Sequence, residues 1–352
     1  MSVFSSPHFD DHEEVVFCRD RDTGLNAIIA VHDTTSGAGL GGCRFWNYDT
    51  EDDALSDALR LSRGMTFKAA LAGTGKGGGK SVIIGDPRRL SSSDLFRAMG
   101  GFVESLGGRY IIAEDVGTSP ADMAHVATRT AHVAGLEGGS GDPSPATAYG
   151  TFVGIRAALK HRFGCNDPKD ARVAIQGLGH VGWSLAERLH DAGAHLIVAD
   201  IRDEVSSRAV RELGATAVGV DTIHAVEAEV FAPCALGAVI NDQSLPQLRA
   251  DIVAGSANNQ LADDIHGDRL AERGVLYAPD YVINAGGIIN IAYETGSYDA
   301  DAAFAHVARI GQTLTDLFQQ SDRSGTAPHR MADQMARQVI ANAKAAAEKV
   351  AA

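Results

Sequence analysis

The sequence predicts a two-domain α/β protein, and three observations predict it. An apolar run, a glycine turn, a helical stretch and a second apolar run ending in an acid follow one another between residues 172 and 200. A glycine-dense segment bracketed by two lysines, Lys68 and Lys80, lies in the first half. Between them, the low-complexity stretch GLEGGSGDPSPATAYG at residues 135–150 reads as a linker or hinge. With 352 residues the chain can bury two sizeable cores. The boundaries expected are 1–145 for the first domain and 146–330 for the second. An alanine-rich helical tail, 331–352, cannot stand alone and is expected to pack back on the first domain or on a neighbouring subunit.

In the first half, residues 25–32 read as a strand and 51–62 as an amphipathic helix with Asp53 and Asp57 on its exposed side. Residues 81–84 and 109–113 read as further strands. The segment MTFKAALAGTGKGGGKSVIIGD reads as a glycine loop that brings backbone close to a small ligand. Its two ammonium groups suit different tasks: one stays charged and holds an anion, the other is crowded and desolvated and acts as a base. On this segment alone, two surface lysines beside a mobile loop are an equally good reading.

In the second half, a helix is expected from just after Pro145 to about residue 160. Residues 172–176 form the first apolar run of the βαβ unit, followed by Gly177-x-Gly179-x-x-Gly182 with His180 and Val181 between the glycines. A helix runs through Leu189, and residues 195–199 form the second apolar run, ending at Asp200. This is the order of a Rossmann-type dinucleotide-binding unit. Gly177 permits the tight turn, Gly179 the approach of a pyrophosphate, and Gly182 close helix–strand packing. The helix N-terminus faces the phosphates, and Asp200 can accept from the adenosine ribose. Arg202 raises the alternative of a 2′-phosphate, which Asp200 would repel, so NAD is expected.

Composition excludes several classes. Apolar residues make up 45% and charged residues 22%, as in an ordinary soluble enzyme. A net charge of −14 argues against general nucleic-acid binding. Four scattered cysteines without a C-x-x-C pair read as free thiols in a reducing cytoplasm and not as a zinc site. The N-terminus has no secretion signal and no apolar run reaches a membrane span. His8, Asp10, Asp11, His12, Glu13 and Glu14 read as a solvated acidic terminus, so no metal is expected. GTGKGGGKS is not a P-loop, because Thr74 stands where that motif needs glycine.

Seven segments in order, HDTTSGAGLGGCRFW, DALRLSRGMTFKAALAGTGKGGGKSVIIGDP, IIAEDVGT, DPSPATAYG, FAPCALGAVIN, AGSANNQL and YAPDYVINAGGIIN, carry a resemblance over nearly the whole chain. The sequence resembles the Glu/Leu/Phe/Val amino-acid dehydrogenases, nearest their leucine enzymes. The resemblance implies an N-terminal substrate and oligomerisation domain, a nucleotide domain, an active-site cleft between them, and a homo-oligomer, octamer or dimer. It also implies that Lys68 binds the substrate α-carboxylate, with Gly41, Gly42 and Met65 lining the same site. Lys80 matches the catalytic lysine, and Asp115 the acid that exchanges a proton with the substrate nitrogen. Asn258 lies near substrate carboxylate and cofactor. Read alone, Asp115 would be a turn cap near Gly117.

These roles agree with the chemistry of oxidative deamination: hydride leaves the α-carbon, water adds to the iminium, and ammonia departs. A neutral lysine deprotonates that water and a carboxylate shuttles the amine proton. Leu40 stands where glutamate enzymes of this family carry a lysine, and Ala113, Ile288 and Ile291 complete an apolar pocket. Leucine, isoleucine and valine are therefore expected as substrates, with phenylalanine or tryptophan and a silent NAD-binding sensor as alternatives. Ile112, the two pocket isoleucines, Cys43 and Lys76 depart from the family pattern. Ile112 removes a hydroxyl expected near the active site.

Overall fold

The computed structural model describes residues 3–136, 140–294 and 298–351. It contains two compact units, Met1–Asp142 with Ile291–Tyr298 and Ala336–Ala352, and Pro143–Asn290 with Asp299–Met335.

The first unit is built on a five-stranded mixed sheet of β1 (Glu14–Asp20), β2 (Leu25–Asp33), β3 (Gly39–Trp46), β4 (Gly77–Ile84) and β5 (Tyr110–Glu114), in the order β1-β2-β4-β3-β5. β2 pairs antiparallel with β1 and β4, while β3 pairs parallel with β4 and β5. Both faces of the sheet are covered, so its central strands read as continuous apolar runs. Ile28, Ala30 and Val82 meet Ala54, Leu55, Ala58 and Leu59 of helix α1 (Glu51–Ala72). On the other face Ala27, Ile29, Val31, Cys43 and Phe45 cluster with Leu95, Phe96, Met99 and Val103 of α2 (Ser93–Ser105) and with Met123 and Val126 of α3 (Pro120–Ala127).

Three expectations need correction here. Helix α1 starts at a Thr50 cap but runs ten residues past 62, to a left-handed Gly73. Ser62, Thr66, Phe67 and Ala69 keep burying one side, so Lys68 belongs to the helix and not to a loop. The glycine-dense segment is likewise mostly strand. A Cβ on Gly77, Gly78 or Gly79 would stand 2.0 Å from the Asp33 carbonyl oxygen, 2.1 Å from Thr66 N, or 2.5 Å from the Tyr110 ring. These glycines let neighbouring elements approach, not the chain flex. Asp57 is half-buried and paired instead of lying on the exposed side with Asp53.

The acidic terminus also differs from its reading. His12 is buried, 4.8 Å edge-on from His32, with Nε2 3.0 Å from both Leu59 O and Ser62 Oγ. Asp10 accepts from Arg63 at 2.8 Å and from Arg337 at 3.0 Å. It is a packed knot and not a solvated tail.

The second unit carries a six-stranded, all-parallel sheet: β6 (Arg172–Gln176), β7 (His195–Ala199), β8 (Thr216–Ala217), β9 (Val230–Pro233), β10 (Ile252–Val253) and β11 (Leu276–Tyr277), in the order β11-β10-β9-β6-β7-β8. Helix α4 (Ser144–Phe163) precedes it and α5 (His180–Asp191) joins β6 to β7. Residues 144–150 of the expected linker are therefore helical, and 137–139 lie outside the described residues. The strand order reverses between β6 and β9, the switch point at which open parallel sheets take ligands. A short helix, α6 (Gly286–Ala292), and the last helix, α7 (Pro328–Ala351), complete the elements that matter below. Among the described residues, no helix is long and apolar enough to cross a membrane.

Candidate active site

In the first unit, the predicted residues gather on the sheet face that α1 covers. Leu40 and Gly42 alternate onto it along β3, and Gly42 pairs with Ala113 on β5. Lys80 on β4 pairs with Ala30, one of the residues packed against α1. Asp115 follows directly on β5. Met65 and Lys68, three residues apart and half-buried, share one side of α1. The glycine pair makes this crowding possible: a Cβ on Gly41 would lie 1.7 Å from the Gly79 carbonyl oxygen, and one on Gly42 2.7 Å from Asp115 Cβ. Tyr110, on the opposite face, donates to Gly41 O at 2.8 Å and fixes that backbone.

Lys80, only 6% exposed, donates a hydrogen bond to Asp115 Oδ2. Arg44 Nε lies 3.3 Å from the same oxygen. Burial opposes charge on Asp115, but Lys80 and Arg44 outweigh it and hold the carboxyl below its usual range. A buried lysine joined to a half-buried carboxylate on an edge of glycine backbone can pass protons to and from a small molecule.

Leu40 (3% exposed) and Ala113 (6%) form an apolar wall beside this pair. Ile112 does not belong to it. Ile112 is fully buried in the opposite core with Cys43, so neither departure reaches the site. Asn258 and Ile288 belong to the second unit. Asn258 is exposed and accepts from Asn284 Nδ2 at 2.7 Å, while Ile288 is buried within α6. Ile291, half-buried, follows on the same helix and opens the segment assigned to the first unit.

The three turn glycines of the second unit divide their work. Gly177 adopts φ +93°, which only glycine holds without strain. A Cβ on Gly182 would stand 2.0 Å from Gly177 O, whereas one on Gly179 would meet nothing within 4 Å. That open position, at the start of α5 with His180 and Val181, is where a pyrophosphate can approach the backbone N–H groups of a helix N-terminus. A cavity of about 580 Å³ borders it, lined by Gly177, Gly179, Asp200, Ile201, Val220 and Leu236 among others. Asp200 accepts from Leu178 N at 2.8 Å and from Arg202 N and Nε at 2.9 and 3.1 Å. Burial works against its charge, but these donors keep the carboxyl below its usual range. The turn, the open helix start and the anchored acid fit a dinucleotide.

Sequence reasoning missed Arg44, Asp57 and Tyr48. Arg44 Nη1 donates to Asp57 Oδ2 at 2.7 Å, and Tyr48 OH to the same oxygen at 2.8 Å. The available signal was a lone charge at alternation from Gly42 in an apolar strand, which must find a buried partner.

Comparison with known proteins follows this geometry. Residues 12–132 match the model of the Glu/Leu/Phe/Val dehydrogenase dimerisation domain, and residues 138–204 and 198–352 that of Glutamate/Leucine/Phenylalanine/Valine dehydrogenase. The chain is 50% identical to a leucine dehydrogenase of Bacillus cereus over 98% of its own length and 95% of that protein's. It is 46% identical to a valine dehydrogenase of Streptomyces albus, covering 95% and 93%. The crystal structure of L-tryptophan dehydrogenase from Nostoc punctiforme superimposes with a TM-score of 0.85 at 42% identity, covering 95% of this chain and 97% of that one.

Proposed function

As the chain belongs to the Glu/Leu/Phe/Val dehydrogenase family and is an amino-acid dehydrogenase, we propose that it oxidatively deaminates branched-chain aliphatic L-amino acids. Leucine, isoleucine or valine and NAD would give the 2-oxo acid, ammonium and NADH, reversibly. The observation that carries this choice is Leu40, buried and apolar beside Gly41 and on the face of Lys80. A substrate side-chain carboxylate placed there would be desolvated without a counter-ion, at a cost of several kcal/mol. Half identity to a leucine dehydrogenase over nearly the full length supports the same substrate class.

In this reading Lys68 holds the α-carboxylate, helped by Met65 and the Gly41–Gly42 backbone, and Leu40, Ala113, Ile288 and Ile291 select the side chain. Asn258 steadies substrate and cofactor. Gly177, Gly179, His180, Val181, Gly182 and Asp200 hold NAD, which when bound supplies a hydride acceptor for the α-carbon. Lys80 takes the proton of the water that adds to the iminium carbon. Asp115 receives a proton from the substrate amine and returns one to the departing nitrogen. The Lys80–Asp115 hydrogen bond lets a proton pass between the two groups without solvent. Domain 1–145 would carry the substrate and 146–330 the cofactor, with 331–352 returning to the first. A homo-oligomer, dimer or octamer, in the reducing cytoplasm agrees with the matched dimerisation domain and four free thiols.

NADH formation with a panel of L-amino acids tests the proposal. Leucine, isoleucine and valine should lead, Lys80→Ala should nearly abolish turnover while sparing NAD binding, and Lys68→Ala should mainly raise KM. Undiminished activity in Lys80→Ala would remove its catalytic assignment, and a lead for glutamate would remove the Leu40 argument. The fold similarity to a tryptophan dehydrogenase favours an aromatic substrate as second reading, which tryptophan or phenylalanine at the head of the panel would establish.

A further inference from the structure

Arg44 stands between two carboxylates on the sheet face that carries Lys80. One end of its guanidinium is tied down: Nη1 donates to Asp57 Oδ2 at 2.7 Å, and Asp57 is itself fixed by Tyr48 OH and Arg60 Nη2, both at 2.8 Å. The other end points at the reaction. Arg44 Nε is buried and makes no hydrogen bond, yet lies 3.3 Å from Asp115 Oδ2, the oxygen that Lys80 occupies. A buried N–H without a partner is normally destabilising, so its place beside a proton-exchanging carboxylate calls for a reason.

The reason lies in what happens to Asp115 when Lys80 is neutral. Acting as a base, Lys80 must spend part of each cycle without its charge. A half-buried carboxylate left without a cation would then draw a proton to itself and stop serving the substrate nitrogen. Arginine cannot lose its proton in a protein, and its fork can hold two carboxylates at once. Resting on the dehydrogenase reading above, we propose that Arg44 is a positioning residue of the reaction. Bridged between Asp57 and Asp115, its guanidinium keeps the Asp115 carboxylate charged and oriented while the Lys80 proton comes and goes. The idle Nε–H takes up Asp115 Oδ2 at the moment Lys80 loosens its own hold.

The other groups around this pair are Asp57 and Arg60 from α1, Tyr48 ahead of it, Cys43 and Tyr110 beneath the sheet, and Glu114 next to Asp115. Burial pushes the Cys43, Tyr48 and Tyr110 protons well above neutrality, so these groups stay uncharged during turnover. Burial, with Asp142 and Asp115 nearby, raises the Glu114 carboxyl above its usual range, and this group is common to the wild type and every variant compared below. Lys68 lies further along α1. Arg44 and Asp57 are thus the charges whose removal changes the field at the Lys80–Asp115 pair in opposite senses.

The test is the pH profile of kcat for oxidative deamination, measured on wild type, Arg44→Gln, Arg44→Lys and Asp57→Asn. Loss of the Arg44 cation makes the pair hold its proton more tightly. The ascending limb in Arg44→Gln should therefore move up by about one unit or more, with activity recovering as pH rises. Arg44→Lys, which keeps the charge, should leave the limb near the wild-type position while lowering kcat. Asp57→Asn removes a more distant anion, so its limb should move the other way and by less. A uniform fall at every pH with unmoved limbs, or shifts of the same sign in the Gln and Asn variants, would reduce Arg44 to a structural ion pair and overturn the proposal. Should Arg44→Gln not fold, the direction of the Asp57→Asn shift decides alone. Wild type inactive toward every amino acid would overturn the dehydrogenase reading along with it. An active wild type with inert variants would overturn only this inference.

Discussion

Replacing Gly179 and Gly182 separately by alanine separates packing from cofactor binding within one turn. At Gly182 the new methyl would stand 2.0 Å from Gly177 O and 3.0 Å from its carbonyl carbon. Gly177 cannot easily retreat, because its φ of +93° closes the turn. Either α5 or the turn must shift, and overpacking of this kind costs about 1–3 kcal/mol. For a unit of this size that lowers the melting temperature of the free protein by roughly 2–12 °C. At Gly179 the methyl meets nothing within 4 Å, and φ −67° with ψ −168° suits any residue. Only cap preference is lost, less than about 1 kcal/mol. The pyrophosphate of NAD, however, needs that space, so its Kd should rise about tenfold or more, equivalent to about 1.4 kcal/mol. Thermal melts without cofactor and calorimetric titration with NADH read both quantities. If Gly179→Ala binds NADH like wild type, or melts lower than Gly182→Ala, the roles assigned to the two glycines are wrong.

Leu40→Lys should place an ammonium in the substrate wall. Turnover of leucine should fall by about 100-fold or more, since a desolvated unpaired charge costs several kcal/mol, while glutamate turnover becomes measurable. A variant still preferring leucine by the wild-type margin would show that Leu40 does not contact the substrate. Asp200→Ser releases Arg202 and removes a charged acceptor worth about 1.5–3 kcal/mol. The ratio of kcat/KM with NAD to that with NADP should drop at least about tenfold, and an unchanged ratio would place Asp200 outside the ribose site. Stability should fall on acidification. Burial, with the neighbouring His12, lowers His32 from 6.5 to about 4. The folded state therefore resists a proton that the unfolded chain accepts: this contribution is whole above pH 6.5 and is lost as pH falls toward 4. The loss is on the order of 3 kcal/mol. His12, lowered chiefly by burial, acts in the same sense. Asp10 is also lowered, Arg63 and Arg337 outweighing its burial, and adds a loss below about pH 3.8. Denaturant midpoints across this range should fall in wild type and flatten in His32→Gln. An equal slope in both would clear His32.

The second unit was legible because each of its signals is local. The run at 172–176, the three glycines, the helix and Asp200 lie within one stretch of chain, and each performs its task against neighbours in that stretch. Gly182 meets Gly177, and Asp200 accepts from Leu178. Period and spacing carry that information directly. The first unit defeated local reading at its most glycine-rich point. Composition reads Gly77, Gly78 and Gly79 as a loop, because it reports what glycine permits and not what presses against it. Their real neighbours, Asp33, Thr66 and Tyr110, come from three other elements. The end of α1 was misplaced for the same reason, since the glycines that follow look like a breaker extending further back than it does.

The resemblance points to Lys80 and Asp115 but not to the groups packed against them, and the difference is physical. A residue that touches substrate is constrained by chemistry common to a whole family, so its motif is recognisable. Arg44 and Asp57 meet each other across strand and helix, and no motif marks either position. Asp57 even satisfies the amphipathic pattern of an exposed acid on α1 until Arg44 reaches it. Arg44 breaks a rule: strand alternation puts a permanent charge in line with Leu40 and Gly42, on a face it shares with Ile28, Ala30 and Val82 as well as with Lys80. Burying that charge without partners would have cost more than the unit's packing could offset. A charge on that face therefore calls for anions from neighbouring elements, which Asp57 of α1 and Asp115 beside β5 supply. Asking which anions satisfy an arginine on that face leads from β3 to Asp57 and Asp115 without any family at all.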